Sequence, residues 1–291
     1  MEQNALTAVF LPLALGIIML GLGLSLTVND FKRVLVYPKA IFLGLICQML
    51  ILPVICFLIA KNFGLGPELA VGLMLLAASP GGATANLYSH LSKGDVALNI
   101  TLTAVNSVLT LFTLPLLVNF SINYFMESGQ VIPMQFKKVI EVFVIVLVPV
   151  SLGMLVRSKS PALTLKLDKP VKIMSAGFLA LIIIAAVLKE KAHIAEYFAQ
   201  VGTAALVFNL LSMTAGYFIP KLFKLGQKQA IAIGMEIGIH NGTLAIFIAL
   251  NVMGNGVMSI PPAIYSLIMF FTAAAFGFLV NMGNKQADSG Q

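Results

Sequence analysis

Apolar residues along this chain fall into nine long runs, roughly 5–27, 38–60, 68–91, 95–119, 139–157, 170–188, 199–222, 227–250 and 258–282, each ended by a short polar cluster. At 1.5 Å of rise per residue, about 20 apolar residues in helical conformation match the ~30 Å hydrocarbon layer of a bilayer. The pattern therefore predicts an all-α polytopic membrane protein with nine transmembrane helices. Nine is odd, so the two ends are expected on opposite sides. Basic residues favour cytoplasmic loops. With the N-terminus outside, 13 of the 18 Lys and Arg residues become cytoplasmic, and only Lys61, Lys137, Lys138, Lys189 and Lys191 remain outside. The sequence thus predicts an external N-terminus and a cytoplasmic C-terminus.

A second pattern runs beneath the first. Shifting the chain by 160 residues superposes Lys61 on Lys221, Phe63 on Phe223, Leu65 on Leu225, Gly66 on Gly226, Ala70 on Ala230, Gly82 on Gly242 and Ala85 on Ala245. The shift pairs the third run with the eighth, five crossings away, so the two copies are expected to run in opposite directions through the membrane. Inverted-topology repeats of this kind mark secondary transporters, whose sites form near the midplane between interrupted helices.

Composition agrees. The chain is 59% hydrophobic and 10% charged with a mean hydropathy of +0.99, whereas a soluble domain carries about 25% charged residues. A water-soluble enzyme is excluded. The formal charge of +7 resides in the connectors rather than on one face or tail, which argues for membrane topology and against a nucleic-acid partner. Cys47 and Cys56 share one apolar run without metal-ligand spacing and read as small core hydrophobes. The opening MEQNALTAVF has no basic n-region and no small-x-small cleavage site, so the N-terminus is read as mature. The expected location is the cell (inner) membrane.

Within the third run, Pro80, Gly81 and Gly82 lie at mid-membrane in LAASPGGATANLYSH. Proline removes a backbone donor and glycine tolerates non-helical dihedrals, so the helix is expected to break there. The repeat partner is GIHNGTLA, residues 238–245. Broken backbone at that depth is tolerated where it is buried in protein, lines a wet cavity or binds ligands; kinks that merely let helices cross closely are the alternative.

Glu236 is the only acidic side chain near the middle of any run. A carboxylate there costs about 2.5–3.5 kcal/mol even on lenient insertion scales. No Lys or Arg stands at matching depth, so a bound cation or a shared proton must compensate it. Asn86, and then Asn99, Thr103, Asn106 and Thr110 along one helix face, offer oxygens suited to a hard monovalent ion; Gln48 adds another amide. Each alone could be an interhelical hydrogen bond. His240 fits three roles equally: a structural donor, a neighbour of a cation site, or a proton relay.

The segments PGGATAN after a Gln-bearing span, GDVALNITLTAVNS next and GMEIGIHNGTLA later resemble the bile acid:sodium symporter family over essentially the whole chain. The resemblance implies two broken helices crossing in a core domain that holds two sodium ions, with a panel domain across a substrate cavity. The chain begins at what looks like the second helix of ten-helix bacterial relatives. The implied first sodium site is Asn86, Asn99, Thr103 and Glu236, with Ala85 where relatives often carry Ser. The implied second is Gln48, Glu236, the carbonyls of Ile237 and Ile239, and His240, where relatives usually carry Gln. A neutral imidazole is a poor sodium ligand and a charged one repels the ion, so one or two sodium ions are expected. The implied core is 38–119 with 199–282, and the panel is 5–27 with 139–188. Helix N-terminal amides beyond the breaks, flanked by Thr84, Asn241 and Thr243, are the expected substrate contacts.

The function expected is therefore sodium-coupled symport of an organic anion, bile acid-like or a small carboxylate, by alternating access. No obligate protein partner is expected. A proton-coupled transporter of the same fold is the alternative. More remote is an intramembrane enzyme or sensor using Glu236 and His240, for which no nucleophile elbow, HExxH or acid pair is found.

Overall fold

The computed structural model describes residues 9–126, 136–189 and 194–289. Residues 5–8 of the first apolar run, Lys191 and the expected external N-terminus lie outside the described residues. Among the described residues the chain is helical almost throughout: α1 Leu11–Ser25, α2 Val28–Lys32, α3 Pro38–Ile46, α4 Leu52–Asn62, α5 Pro67–Ala77, α6 Ala83–Leu91, α7 Val96–Phe125, α8 Phe136–Lys159, α9 Pro161–Lys189, α10 Ile194–Leu222, α11 Gln227–Gly238, α12 Gly242–Phe247 and α13 Ile260–Ser289. A helix or a broken pair of helices falls in every apolar run. Among the described residues five helical stretches, with α3 and α4 counted together as Pro38–Asn62, are long and apolar enough to cross a membrane, six when the bent pair Leu11–Ser25 and Val28–Leu35 is counted as one span.

Several helices outrun their apolar segments. α9 starts at Pro161, well before the run at 170–188, and α13 continues to Ser289. Hydropathy marks only the portion suited to hydrocarbon, whereas the backbone ladder continues wherever polar residues tolerate it. The bend of 69° after α1 has a local cause. Asp30 accepts from both the backbone N–H and the hydroxyl of Thr27, each at 2.6 Å, starting α2 as a new helix, and Arg33 pairs with the same carboxylate at 2.7 Å.

α3 and α4 form one rod joined by a π turn at Cys47–Ile51, closed by the Leu52 N–H on the Cys47 carbonyl. Pro53 has no N–H for the Met49 carbonyl and its ring would collide with it, and the wider turn removes the conflict. Gln48 sits in this turn, buried. Both cysteines are buried and free, as small core residues.

The repeat seen in the sequence recurs as repeated bonds. The Gly64 N–H donates to Lys61 and the Leu65 N–H to Ala60, closing α4; the Lys224 N–H donates to Lys221 and the Leu225 N–H to Pro220, closing α10. Asp95 accepts from the Leu98 N–H at 3.0 Å to cap α7, and Asn255 accepts from the Met258 N–H at 3.1 Å before α13. Each pair of sites is offset by 160 positions. α1 packs chiefly on α8 and α9, with Gly23 against the backbone of Val150 and Gly153 against that of Leu20; the remaining helices pack around α5, α7, α10, α11 and α13.

The two equivalent C-caps differ in one respect. Gly64 has φ of 62°, and its counterpart Lys224 is forced to 61°. A side chain in this left-handed conformation costs roughly 1–2 kcal/mol, offset in part by the backbone entropy of glycine. Because Lys224 is exposed, Lys224→Gly is expected to raise the thermal midpoint of the detergent-purified protein, by a net ~0.5–1 kcal/mol of stability. A lowered midpoint contradicts this account of the cap.

Candidate functional site

Where α5 and α11 stop, their backbones meet. Gly81 pairs antiparallel with His240, and the Asn241 N–H donates to the Pro80 carbonyl at 2.8 Å. In a continuous helix that N–H would serve Ile237, so the crossing releases the Ile237 carbonyl from the ladder. Ile239 turns to extended backbone at φ −116° and ψ 94°. Antiparallel pairing of the two breaks is what an inverted repeat requires.

Every carbonyl exposed by breaking a buried helix needs a donor, and this chain supplies donors from neighbouring helices. Gln48 Nε2 donates to Ala77 at 3.3 Å and to Ser79 at 3.0 Å. His240 Nδ1 lies 3.0 Å from the same Ser79 carbonyl. A carbonyl only accepts, so Nδ1 carries a proton, and in the neutral ring Nε2 is a bare lone pair. The Gly238 carbonyl receives Asn209 Nδ2 at 2.8 Å and the Tyr265 hydroxyl at 2.9 Å.

Glu236 reaches this crossing from α11 and is fully buried. Thr103 donates to Oε2 at 2.6 Å and Asn106 Nδ2 to Oε1 at 3.1 Å, both from α7. An ideal Cβ on Gly81 would stand 2.5 Å from the Glu236 carboxyl carbon, so only glycine admits the carboxylate here. Asn99 Nδ2 holds the Ala232 carbonyl at 2.7 Å, and Asn86 Oδ1 lies 3.5 Å from the Thr103 hydroxyl. The polar face of α7 thus delivers Asn99, Thr103 and Asn106 to one place. Thr110, expected to continue it, instead lines an apolar niche with Leu111, Leu114, Pro115, Val139, Val142 and Leu244.

Neutral partners leave the charge uncompensated. The ion pairs among the described residues are Arg33–Asp30 and Lys138–Glu141, and neither involves Glu236. Four buried amide oxygens, on Gln48, Asn99, Asn106 and Asn209, have no donor, nor does Nε2 of His240 have a partner. Of these, Asn106 is bonded to the Glu236 carboxylate and Asn99 stands one turn from Thr103 on the same helix face, and free oxygens beside a carboxylate fit a hard cation bound through oxygen. No group of three or more His, Cys, Asp or Glu suited to a transition metal occurs among the described residues.

The expected substrate contacts are dispersed in role. Thr84 is half-buried in the first turn of α6, Thr243 is buried in α12, and Asn241 spends its side-chain oxygen on the Leu244 N–H at 3.1 Å, capping α12. Asn209 and Tyr265 were not read from the sequence. A signal for Asn209 existed: it is the counterpart of Gln48 at an offset of 161 rather than 160.

A family model described as the sodium bile acid symporter family matches residues 12–197. The chain belongs to that family. Relatives include the probable sodium/metabolite cotransporter BASS2, chloroplastic, of Oryza sativa subsp. japonica, 28% identical over 265 residues covering 90% of this chain and 61% of the relative. The uncharacterized sodium-dependent transporter YocS of Bacillus subtilis (strain 168) is 26% identical over 89% of this chain and 78% of its own length. The ileal sodium/bile acid cotransporter of Oryctolagus cuniculus is 25% identical over 91% and 77%. The chain spans less than two thirds of the length of the chloroplastic BASS relatives from rice and Arabidopsis thaliana. The family consists of integral membrane transporters with sodium as the coupling ion.

Gly81 and Gly82 make a matched pair for testing the carboxylate cradle, because a Cβ on Gly82 meets nothing within 4 Å. Gly81→Ala is expected to cost about 1–3 kcal/mol, the usual penalty for overpacking a close-packed site, and Gly82→Ala much less. Thermal unfolding of the two purified variants checks this; equal losses contradict the cradle.

Proposed function

We propose that this chain is a sodium-coupled secondary symporter that carries a small organic anion across the cell (inner) membrane by alternating access. The observation that carries the reading is Glu236, a buried carboxylate whose partners are all neutral, surrounded by amide oxygens without donors at the crossing of two broken helices. A relative of bacterial origin, YocS, supports the cell membrane as the location.

Asn86, Asn99, Thr103 and Glu236 form the first sodium site, and Asn106, which holds Oε1 of the same carboxylate, joins them. Gln48, Glu236, the carbonyls of Ile237 and Ile239 and His240 form the second. His240 is the weak member of that set, because its Nδ1–H is committed to Ser79 and an imidazole offers sodium only a soft nitrogen lone pair. Coupling to one ion, with the second site partly vacated by this substitution, is the stoichiometry these residues favour.

Nine crossings with an external N-terminus and a cytoplasmic C-terminus account for the placement of the basic connectors. The core comprises 38–119 and 199–282, and α1, α8 and α9 form the panel that rocks against it; the separate packing of those three helices supports the division. The substrate carboxylate is received by the amides that open α6, beside Thr84, and by Asn241 and Thr243 at the start of the helix Gly242–Val252. The Asn241 N–H is already engaged by Pro80, so Asn241 contributes its side-chain amide, while the remaining N–H groups of the two helix starts lie at the positive end of the helix dipole. Tyr88 and Phe270, stacked with centroids 6.4 Å apart, add an apolar wall suited to a substrate with hydrocarbon bulk.

In proteoliposomes an inward sodium gradient is expected to drive uptake of a radiolabelled bile salt or 2-oxo acid. Glu236→Ala abolishes the sodium dependence, and Asn106→Ala raises the sodium concentration for half-maximal uptake about tenfold, equivalent to the ~1.4 kcal/mol of one lost hydrogen bond to a charged group. Undiminished sodium-driven uptake in Glu236→Ala refutes the proposal, and uptake driven equally by a pH gradient without sodium replaces sodium by the proton.

A further inference from the structure

The two breaks are held by the same device, although the sequence disguises it. At the first, an amide from the preceding rod, Gln48, reaches 29 residues along the chain to the carbonyl of Ala77, the last residue of α5. At the second, an amide from α10, Asn209, reaches 29 residues along the chain to the carbonyl of Gly238, the last residue of α11. Both amides are buried, and both keep a side-chain oxygen without a donor.

At each break one carbonyl also takes two donors: Ser79 from Gln48 and His240, each at 3.0 Å, and Gly238 from Asn209 and a residue of α13. Tyr265, fully buried on α13, donates its hydroxyl to the same Gly238 carbonyl at 2.9 Å. Its ring packs edge-on against His240 at 5.4 Å and tilted against Phe208 at 5.7 Å, while Phe208 stacks on His240 at 5.8 Å. One donor is enough to satisfy a carbonyl. Two donors from two different helices fix its position as well as its hydrogen bonding. Glu236 lies two residues earlier on the same half-helix, with no loop or hinge between.

We propose that Asn209 and Tyr265 are positioning residues of the ion site: by pinning the Gly238 carbonyl from α10 and α13 they aim the Glu236 carboxylate at Thr103, Asn106 and Gly81, and so set sodium affinity without contacting the ion. The inference rests on the sodium reading of Glu236. It extends that reading to residues outside the ligand set, in the way outer partners commonly tune a metal site. Because the two donors share one acceptor, each partly covers for the loss of the other.

The test is the sodium dependence of the thermal midpoint of the purified full-length chain, titrated with NaCl against choline chloride at constant ionic strength. Tyr265→Phe deletes one oxygen and keeps the ring packed; Asn209→Leu keeps a similar volume and removes the donor; Leu15→Ala, a buried position on α1, which packs chiefly on α8 and α9, serves as the structural comparison. Tyr265→Phe and Asn209→Leu are each expected to raise the half-saturating sodium concentration, at the lower end of the ~10–100-fold range seen when outer partners of metal ligands are removed. The double variant is expected to lose more than the product of the single effects, and Asn209→Gln to recover part of the loss by restoring an amide donor. Leu15→Ala lowers the midpoint and leaves the sodium titration in place. The clamp alone is overturned if both variants behave like Leu15→Ala, losing midpoint with half-saturating sodium within twofold of the parent chain. A parent chain whose midpoint ignores sodium overturns the reading beneath it as well.

Discussion

A single carboxylate, taken out of water and given only neutral partners, organises this protein. Glu236 is fully buried, with Thr103 at 2.6 Å, Asn106 at 3.1 Å and the backbone of Gly81 against it. Hydrogen bonds of this kind lower the cost of burying the charge without cancelling it. The surrounding amides present oxygens with no donor, which increases the negative potential at the point where the carboxylate already sits. A cation relieves both problems at once, and the oxygens of Glu236, Thr103, Asn99 and Asn106 favour a small hard one.

The broken helices are the means of bringing that chemistry to mid-membrane. Ending α5 and α11 inside the protein strands carbonyls that no water can satisfy. Gln48, His240, Asn241, Asn209 and Tyr265 satisfy those of Ala77, Ser79, Pro80 and Gly238, and each bond crosses from one repeat or helix to another. The ends of the half-helices are thereby fixed relative to each other. The rest of the fold supplies long, closely packed rods that hold the crossing in place, including the Gly23 and Gly153 contact between α1 and α8.

Much of this was legible before any coordinates. The breaks at Pro80–Gly82 and around His240–Asn241 announce themselves because proline and glycine have few uses at the centre of an apolar run, and Glu236 does so because a carboxylate has fewer still. The 160-residue repeat is readable where it is carried by surface caps such as Gly66 and Gly226. Upstream of the breaks the register slips. The π turn at Cys47–Ile51 adds one residue to the first rod that the continuous α10 lacks, which moves the counterpart of Gln48 to offset 161, turns Asn for Gln into an apparent coincidence and hides Asn209. Tyr265 gave no signal, since a tyrosine in an apolar run is ordinary until its hydroxyl is found on a stranded carbonyl. Thr110 failed in the other direction: helical periodicity placed it on the polar face, but a face is used only over the length that its partner covers. The bend at Asp30 and the π turn at Gln48 are local events that hydropathy does not register.

The central claim is that Glu236 is ionised because an alkali cation shares its site. Equilibrium binding of radioactive sodium-22 to the purified chain at neutral pH measures this without reference to any substrate. The account predicts saturable binding that unlabelled NaCl displaces and choline chloride does not, and that disappears in Glu236→Gln. Binding of equal capacity in that variant, or no saturable binding in the parent chain, would contradict it.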